Sequence, residues 1–128
     1  MKVLLDTHSL LWWAFAAPQL SRRAKAILAD RSNTIFVSSA SAWEIATKFR
    51  IGRLPEARAL VEDMAGWFER TGLTELPMTT AHAQRAGGFP IPHRDPFDRM
   101  LAAQSLLEEL PILGKDDALL DFGVQLLW

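Results

Sequence analysis

Four acidic side chains are the groups in this sequence best suited to chemistry, and they are Asp6, Glu44, Asp98 and Asp116. Carboxylates that share a pocket repel one another and raise one another's pKa values unless a cation neutralises them. The chain has no cysteine, and its three histidines show no metal-ligand spacing, so the ligands would be oxygen atoms, which suit Mg²⁺ or Mn²⁺. Such a site predicts phosphoryl transfer or phosphodiester hydrolysis by a metal-activated water, with no covalent protein nucleophile.

Glu44 and Asp98 each also have a purely structural interpretation. Glu44 completes a capping-box pattern that begins at Ser41 and predicts a helix start, and Lys48 follows at ion-pair spacing. Asp98 would occupy the first turn of another helix, where a carboxylate complements the helix dipole. Taken alone, the pattern around Glu44 favours a structural role.

Asp6 is harder to explain structurally, because an acid directly after a buried strand is an uncommon choice, although it could cap the following helix. Asp116 and Asp117 could instead belong to a loop or cap a helix. The residues alone therefore leave two alternatives open, an acidic metal site and a set of structural carboxylates. We expect the histidines to be loop or helix-surface residues, and they are His8, His82 and His93.

The helix that carries Asp98 has a clear start. Asp95 is a good N-cap, and Pro96 suits the first helical position because its missing N–H is no loss there. Asp95 and Arg99 are four residues apart and predict a surface ion pair, so Asp95 is not needed as a ligand. Apolar residues at helical spacing predict a buried face, which consists of Phe97, Met100, Leu101 and Leu107.

Five short apolar runs predict the β-strands that must position the acids. Helical segments separate these runs, which predicts an α/β domain with a mostly parallel sheet covered on both faces. In such a sheet the residues just past the carboxyl ends of the strands line one crevice, so all four acids could converge there. The predicted strands are Lys2 to Leu5, Thr34 to Ser38, Leu73 to Leu76, Pro111 to Leu113 and Val124 to Trp128.

Capping residues and glycines mark the predicted helices. Ser21 and Thr79 are predicted N-caps. Gly72 would end one long helix that starts near Glu56. The predicted helical segments are His8 to Ala16, the stretch after Ser21 to about Asp30, Ser41 to about Arg50, Glu56 to Arg70, the stretch after Thr79 to Ala86, and the helix that starts at Pro96.

The composition limits the class of protein. The 128 residues, of which 49% are hydrophobic, predict a single domain over residues 1–128. A net charge of −1 provides no overall basic field, so nucleic acid would have to bind a local patch. The absence of cysteine fits a reducing compartment, and the apolar run Val3 to Leu5 is too short for a signal peptide or a membrane span. We therefore expect a cytoplasmic protein without membrane contact.

Nearly the whole chain resembles the PIN-domain ribonucleases, and specifically the VapC-like toxins of bacterial type II toxin–antitoxin pairs. Four segments carry the resemblance, in the order that the family has: Leu4 to His8, Ser41 to Lys48, His93 to Gln104, and Lys115 to Trp128. The resemblance implies a PIN-like three-layer α/β/α fold with a five-stranded, mostly parallel sheet.

The resemblance also implies an activity and partners. Asp6, Glu44, Asp98 and Asp116 would be the Mg²⁺-binding acids of an endoribonuclease that hydrolyses RNA phosphodiester bonds. A cognate antitoxin would wrap the toxin and block this site, and two toxin subunits would form a homodimer. Thr7 would be a neighbour of the site.

Gly114 departs from the family's pattern, because many relatives have Thr or Ser two residues before the last acid. The glycine removes a hydroxyl group from the site. It also leaves open whether Asp117 replaces or assists Asp116.

Aromatic and basic residues supply candidate contacts to partners. Trp12 and Trp13 are adjacent on a predicted helix and cannot face the same way, so one could be exposed for a partner. The basic residues nearest in sequence to the predicted site are candidates for phosphate contacts, although most such residues are solvated. They are Arg22, Arg23, Lys25, Lys48, Arg50, Arg53, Arg94, Arg99 and Lys115.

Two other classes compete with the nuclease. A receiver-like phosphoacceptor signalling domain also has a parallel sheet, an acidic Mg²⁺ pocket and a nearby lysine, but its acids follow other strands. A catalytically inactive PIN-like interaction module would suit the balanced charge and Gly114. The intact acids argue against the inactive module.

Overall fold

A computed structural model describes residues 1–128 and shows one five-stranded sheet in the order β3-β2-β1-β4-β5. All four pairs of neighbouring strands are parallel, so the sheet predicted as mostly parallel is parallel throughout. The central strand β1 lies between β2 and β4, which places Asp6 at the middle of the sheet's carboxyl end. The strands are β1 (Lys2–Leu5), β2 (Thr34–Ser38), β3 (Thr74–Leu76), β4 (Ile112–Leu113) and β5 (Leu126–Leu127).

Seven α-helices and two short 3-10 helices connect the strands. No helix is both long enough and apolar enough to span a bilayer. The α-helices are α1 (Thr7–Ala14), α2 (Arg22–Ala29), α3 (Ser39–Arg50), α4 (Arg58–Glu62), α5 (Met64–Arg70), α6 (Thr80–Gly88) and α7 (Pro96–Glu108). The 3-10 helices are Pro55–Ala57 and Asp117–Phe122.

Helices cover both faces of the sheet, as the uninterrupted apolar runs predict. Successive side chains of a strand point to opposite faces, and β1 sends Val3 and Leu5 into one core cluster and Leu4 into the other. The larger cluster includes Ile45 of α3, and the smaller one includes Leu101 of α7. The predicted three-layer α/β/α arrangement is therefore confirmed.

The prediction of one long helix from Glu56 to Arg70 is wrong, because the helix is interrupted at Asp63. Asp63 has non-helical backbone angles (φ −147°, ψ 60°), and its carboxylate accepts a hydrogen bond of 3.3 Å from the N–H of Gly66. A Cβ atom at Gly66 would lie 2.3 Å from a carboxylate oxygen of Asp63. The missing side chain thus lets Asp63 cap a separate helix, and Asp63 also pairs with Arg70 at 2.9 Å.

The start of α3 also differs from the prediction. The N-cap is Ser38, the last residue of β2, whose hydroxyl accepts a hydrogen bond of 3.0 Å from the N–H of Ala40. The predicted capping box from Ser41 to Glu44 is therefore wrong, because the strand runs directly into the helix and Ser38 is the first hydroxyl available. Glu44 consequently lies in the second turn. The predicted N-caps Ser21, Thr79 and Asp95 are confirmed.

Candidate active site

Asp6 follows β1 and is held between two strand ends. Its backbone N–H donates a hydrogen bond of 3.1 Å to the carbonyl of Leu113, the last residue of β4. The residue is 4% exposed, and its side chain does not cap α1. Burial, together with the negative charges of Asp98 and Glu44, raises the pKa of the Asp6 carboxyl to about 6 against the lowering effect of His8. Asp6 is therefore a buried carboxylate that would strongly attract a cation.

Glu44 lies on α3 close enough to Asp6 for its charge to affect the pKa of Asp6. It is 3% exposed, and its Oε2 atom lies 2.5 Å from the Nζ atom of Lys48. The ion pair predicted between Glu44 and Lys48 is confirmed. Because Lys48 is only partly exposed and already paired, it neutralises Glu44 within the protein.

A buried pair of hydroxyl groups joins the elements that carry Asp6 and Glu44. The Thr7 Oγ1 and Ser41 Oγ atoms are 2.8 Å apart, although the two residues are 34 positions apart in the chain. This hydrogen bond holds the first turn of α1 against α3. The sequence pattern placed Thr7 beside the site but assigned Ser41 to a helix cap, so the pair was missed.

Asp98 lies in the first turn of α7. The Asp95 carboxylate accepts hydrogen bonds from the N–H groups of Phe97 (2.9 Å) and Asp98 (3.4 Å), and Pro96 is the first helical residue, as predicted. Burial and then the charge of Asp95 raise the pKa of Asp98, and the charge of Asp116 adds to this, while hydrogen bonding to His93 lowers it.

His93 contacts Asp98, and the sequence pattern missed this contact. Its Nε2 atom lies 3.0 Å from the Oδ2 atom of Asp98, and its ring packs edge-on against Phe122 with 5.2 Å between centroids. The prediction treated His93 as a loop residue without a role. The available signal was its position five residues before Asp98, at the end of a Gly- and Pro-containing loop that folds back onto α7.

Arg99 does not form the predicted ion pair with Asp95. Its guanidinium group donates instead to backbone carbonyl groups of the segment that precedes α7. Nε and the two Nη atoms make four hydrogen bonds of 2.7 to 2.9 Å, whose acceptors are the carbonyls of Ala86, Phe89, Ile91 and His93. These backbone contacts occupy donors that the prediction had assigned to Asp95 or to phosphate.

Two corrections concern the faces of helices. Leu107, predicted on the buried face of α7, is 42% exposed, because the helical rotation between Leu101 and Leu107 turns Leu107 away from the face that Leu101 buries. Neither Trp12 nor Trp13 is fully exposed, and both pack against the larger core cluster.

Asp116 caps the 3-10 helix Asp117–Phe122, since its carboxylate accepts a hydrogen bond of 3.0 Å from the N–H of Ala118. A cleft of about 320 Å³ lies beside it. The Nζ atom of Lys115 sits 5.3 Å from the centroid of the Trp12 ring at this cleft. The residues that line the cleft are Asp6, His8, Trp12, Lys115, Asp116 and Asp117.

The four acids therefore lie close enough for their charges to affect one another, but they do not form a complete set of ligands around one metal position. Asp6 is affected by Glu44 and Asp98, and Asp98 by Asp116. No group of three or more acidic or imidazole side chains is arranged to hold one metal ion. Mg²⁺ commonly takes only one or two protein carboxylates, with water and substrate oxygens as its other ligands. The donor set, all carboxylate oxygens and partly buried, fits such a hard divalent cation.

Gly114 makes the position of Asp6 possible. A Cβ atom at residue 114 would lie 2.8 Å from the Cβ atom of Asp6, which is fixed to the end of β1 and cannot move aside cheaply. The glycine thus does more than remove a hydroxyl group from the site, because it also lets Asp6 pack directly on the strand end of β4.

The fold and the site together define the class of protein. It is a parallel α/β domain with acidic residues just past the ends of β1 and β4. Residues 3–124 match the protein family described as PIN domain, and the chain belongs to that family. The receiver-like alternative is therefore wrong.

Similar proteins agree with this family. A segment of 68 residues is 38% identical to Ribonuclease VapC16 of Mycobacterium tuberculosis (strain ATCC 25618 / H37Rv), and it covers 52% of this chain and 48% of that protein. The match thus spans about half the length of that relative.

Solved structures share the fold at low identity. VapBC2 from Rickettsia felis, bound to a DNA fragment from its promoter, has a TM-score of 0.70 at 15% identity, and the alignment covers 99% of this chain and 98% of that one. FitAcB from Neisseria gonorrhoeae has a TM-score of 0.65 at 18% identity, with 100% and 97% covered. FitAB bound to an IR36 DNA fragment has a TM-score of 0.62 at 18% identity, with 99% and 94% covered.

Proposed function

We propose that this chain is a Mg²⁺-dependent endoribonuclease that acts as the toxin of a toxin–antitoxin pair. The observation that carries the proposal is Asp6, a carboxylate buried at the sheet's carboxyl end whose pKa is raised to about 6. Such a group costs stability when it ionises without a cation. Membership of the PIN family and the 38% identity to a protein named as a ribonuclease support RNA as the substrate.

Asp6, Glu44, Asp98 and Asp116 would hold the metal ion, either directly or through water. Bound Mg²⁺, or Mn²⁺, supplies a water nucleophile of lowered pKa and neutralises charge that develops on phosphorus. Asp6 and Asp98 provide the most buried oxygen atoms that lack a lysine partner, so we assign direct contact to them first. Glu44 must share its carboxylate with Lys48, and Asp116 is exposed and already caps a helix.

Other side chains orient these acids and the substrate. His93 fixes the rotamer of Asp98 through its hydrogen bond of 3.0 Å. Lys115 stands beside the cleft that contains Asp6 and Asp116, where its ammonium group would attract an RNA phosphate. The hydroxyl pair of Thr7 and Ser41 keeps α1 and α3 in register around the site.

We also propose an antitoxin partner, a homodimer and a cytoplasmic location. The fold is shared with VapBC2, whose crystal structure is bound to a DNA fragment from its promoter. The sequence resemblance to VapC-like toxins supports the dimer and the cytoplasmic location.

Cleavage of a structured RNA tests the activity. We expect cleavage with Mg²⁺ or Mn²⁺, none with a chelator, and a loss of at least about 100-fold for Asp6→Asn, since losing even an outer partner of a ligand costs 10- to 100-fold. Asp121→Asn is the matched control, because Asp121 is an exposed acid away from the strand ends. Equal cleavage by the wild type, the chelated sample and Asp6→Asn would contradict the proposal.

An inactive PIN-like interaction module remains the second candidate, favoured by the lack of a closed group of three metal ligands. The same experiment separates the two functions. Absence of metal-dependent cleavage in the wild type would select the interaction module.

A further inference from the structure

We propose that Arg99 is a positioning residue that holds Asp98 in place by way of His93. The proposal rests on the proposed function, since it concerns an acid assigned to the metal site. Arg99 itself touches neither Asp98 nor the cleft beside Asp116 through a hydrogen bond. It acts on the segment between α6 and α7.

The guanidinium group of Arg99 organises a segment that has no regular structure of its own. Backbone carbonyl groups that lack secondary-structure partners must find other donors when they are shielded from water. Arg99 serves four of them at once, with distances of 2.8 Å to Ala86, 2.7 Å to Phe89, 2.8 Å to Ile91 and 2.9 Å to His93. Its side chain therefore sets the path of the chain from the end of α6 to His93.

His93 connects this segment to the acid. Its backbone carbonyl accepts from Nη1 of Arg99, while its ring Nε2 lies 3.0 Å from the Asp98 Oδ2 atom. Arg99 follows Asp98 directly on α7. The contacts thus run from Arg99 to the His93 backbone, from the His93 ring to Asp98, and back to Arg99 along the helix. The Phe122 ring also packs edge-on against the imidazole ring of His93. A displacement of the His93 backbone would therefore move the ring away from Asp98.

Lysine could not replace arginine in this role. The guanidinium carries five N–H donors in a fixed planar fork, whereas an ammonium group is a point charge with three donors on a flexible stem. One ammonium group cannot reach four carbonyl groups that surround a planar fork. Arg99→Lys therefore keeps the charge and removes the geometry.

Arg85, which lies on α6 next to this segment, offers a matched control. Its guanidinium carbon lies 5.6 Å from the centroid of the Phe89 ring, a ring that Arg99 also approaches at 5.8 Å. Arg85 is exposed and forms none of the hydrogen bonds to the segment's carbonyl groups. Arg85→Lys thus alters a neighbouring arginine without disturbing the segment's backbone.

A double-mutant cycle between Arg99→Lys and His93→Ala tests the proposal. The readouts are Mn²⁺ affinity by calorimetry, and kcat and KM for RNA cleavage. We expect Arg99→Lys to weaken Mn²⁺ binding and lower kcat by about tenfold, the size typical of residues that orient metal ligands. KM should change little, and Arg85→Lys should match the wild type. In the His93→Ala background Arg99→Lys should add no further loss, because its route to Asp98 is already cut.

The double-mutant cycle and a hydrogen-exchange measurement each have a result that would overturn the positioning role. One is an equal loss from Arg99→Lys with and without His93, which would mean that Arg99 acts by another route. The other is a wild type in which the Arg99 Nε–H exchanges with solvent as fast as that of Arg85, since a group bound to the Ala86 carbonyl should be protected. This exchange measurement needs no variant, so it tests the hydrogen bond from Arg99 to Ala86 even if Arg99→Lys does not fold.

Failure of the proposed function would look different. A wild type that binds no Mn²⁺ and cleaves no RNA would refute the nuclease, whereas the positioning role would still be read from the imidazole nitrogen resonances of His93. Asp98→Asn should shift these resonances, Arg99→Lys should shift them similarly, and Arg85→Lys should not. Unshifted His93 resonances in Arg99→Lys would refute the positioning role alone.

Discussion

Each end of α7 carries a carboxylate that is paired with a histidine from outside the helix, and the two pairs have different roles. At the start of the helix, His93 lies 3.0 Å from Asp98. At its end, His82 of α6 lies 2.8 Å from Glu108. Distance alone would rank the second pair as the closer one. The surroundings of each pair, and not its geometry, indicate which one belongs to a site.

His82 is occupied on both ring nitrogens. Its Nδ1 atom accepts a hydrogen bond of 3.1 Å from the N–H of Thr79, so Nε2 carries the proton and donates to Glu108. The residue is 1% exposed and completes the capping box at the start of α6. The prediction that His82 lies in a loop or on a helix surface was therefore wrong. Its role is structural.

His93 uses one ring nitrogen, on an acid that other acids surround. The charges of Asp95 and Asp116 both act on Asp98, and Asp98 in turn acts on Asp6. Glu108, by contrast, has a side chain that is 44% exposed. A histidine that orients one member of a group of carboxylates supports a functional role, whereas one that closes a helix cap supports the fold.

The largest expected effect is the contrast between the two carboxylates. Asp98→Ala should lower RNA cleavage by at least about 100-fold and leave the melting temperature nearly unchanged, because it removes a proposed metal ligand. Glu108→Ala should leave cleavage unchanged, because Glu108 only accepts from His82. Cleavage rates and thermal melts of both variants check this. Comparable cleavage by both variants would remove the functional distinction between the pairs.

The two histidines should show the inverse pattern. His93→Ala should lower cleavage by about 10- to 100-fold with little effect on stability, because it frees the rotamer of Asp98. His82→Ala should lower the free energy of unfolding by about 1 to 3 kcal/mol and spare cleavage, because it leaves a helix-cap N–H without its acceptor. Urea denaturation and cleavage assays measure the two effects. A stable, inactive His82→Ala protein would contradict the assignment.

Gly114 offers a smaller test on the Asp6 side. Gly114→Ser introduces the residue type that many VapC-like relatives have, yet its Cβ would lie 2.8 Å from the Asp6 Cβ. We expect weaker Mn²⁺ binding and a loss of about 1 to 3 kcal/mol in the free energy of unfolding, the usual cost of overpacking. Gly87→Ser is the control, because nothing lies near that position. Tighter metal binding by Gly114→Ser would show that the hydroxyl matters more than the packing.

The last prediction is that the free energy of unfolding depends on pH through the Asp6 carboxyl. Its pKa is raised from 3.8 to about 6, so the folded protein takes up a proton before the unfolded chain does as pH falls through 6. Without metal, the free energy of unfolding should therefore rise between pH 7 and pH 4, by at most ~3 kcal/mol at 1.36 kcal/mol per pKa unit. Asp6→Asn should lack this rise. Urea denaturation across this pH range, in the presence of a chelator, compares the two proteins, and identical pH profiles would contradict the raised pKa.

Local signals predicted the framework that carries the site. The apolar runs gave the bounds of β1 and β2 correctly, and Asp95 with Pro96 predicted the start of α7. Because parallel strands end at one side of a sheet, the positions of Asp6 and Asp116 after β1 and β4 also followed from the sequence.

Contacts between distant residues were not predictable in the same way. Arg99 stands four residues from Asp95, a spacing that favours an ion pair, but its guanidinium group donates instead to one carbonyl near the end of α6 and three in the loop that follows. Ser41 reads as a cap until a partner 34 residues away is known. The break at Asp63 depends on the missing side chain of Gly66, which a helical pattern tolerates without signalling.

Diffraction from crystals soaked in Mn²⁺ tests the proposed metal site, because anomalous scattering locates the ion itself. We expect a peak at the carboxyl end of β1 in contact with oxygen atoms of Asp6 and Asp98, and no peak at His82 and Glu108. An ion bound elsewhere, or no ion at these acids at saturating Mn²⁺, would refute the proposed site.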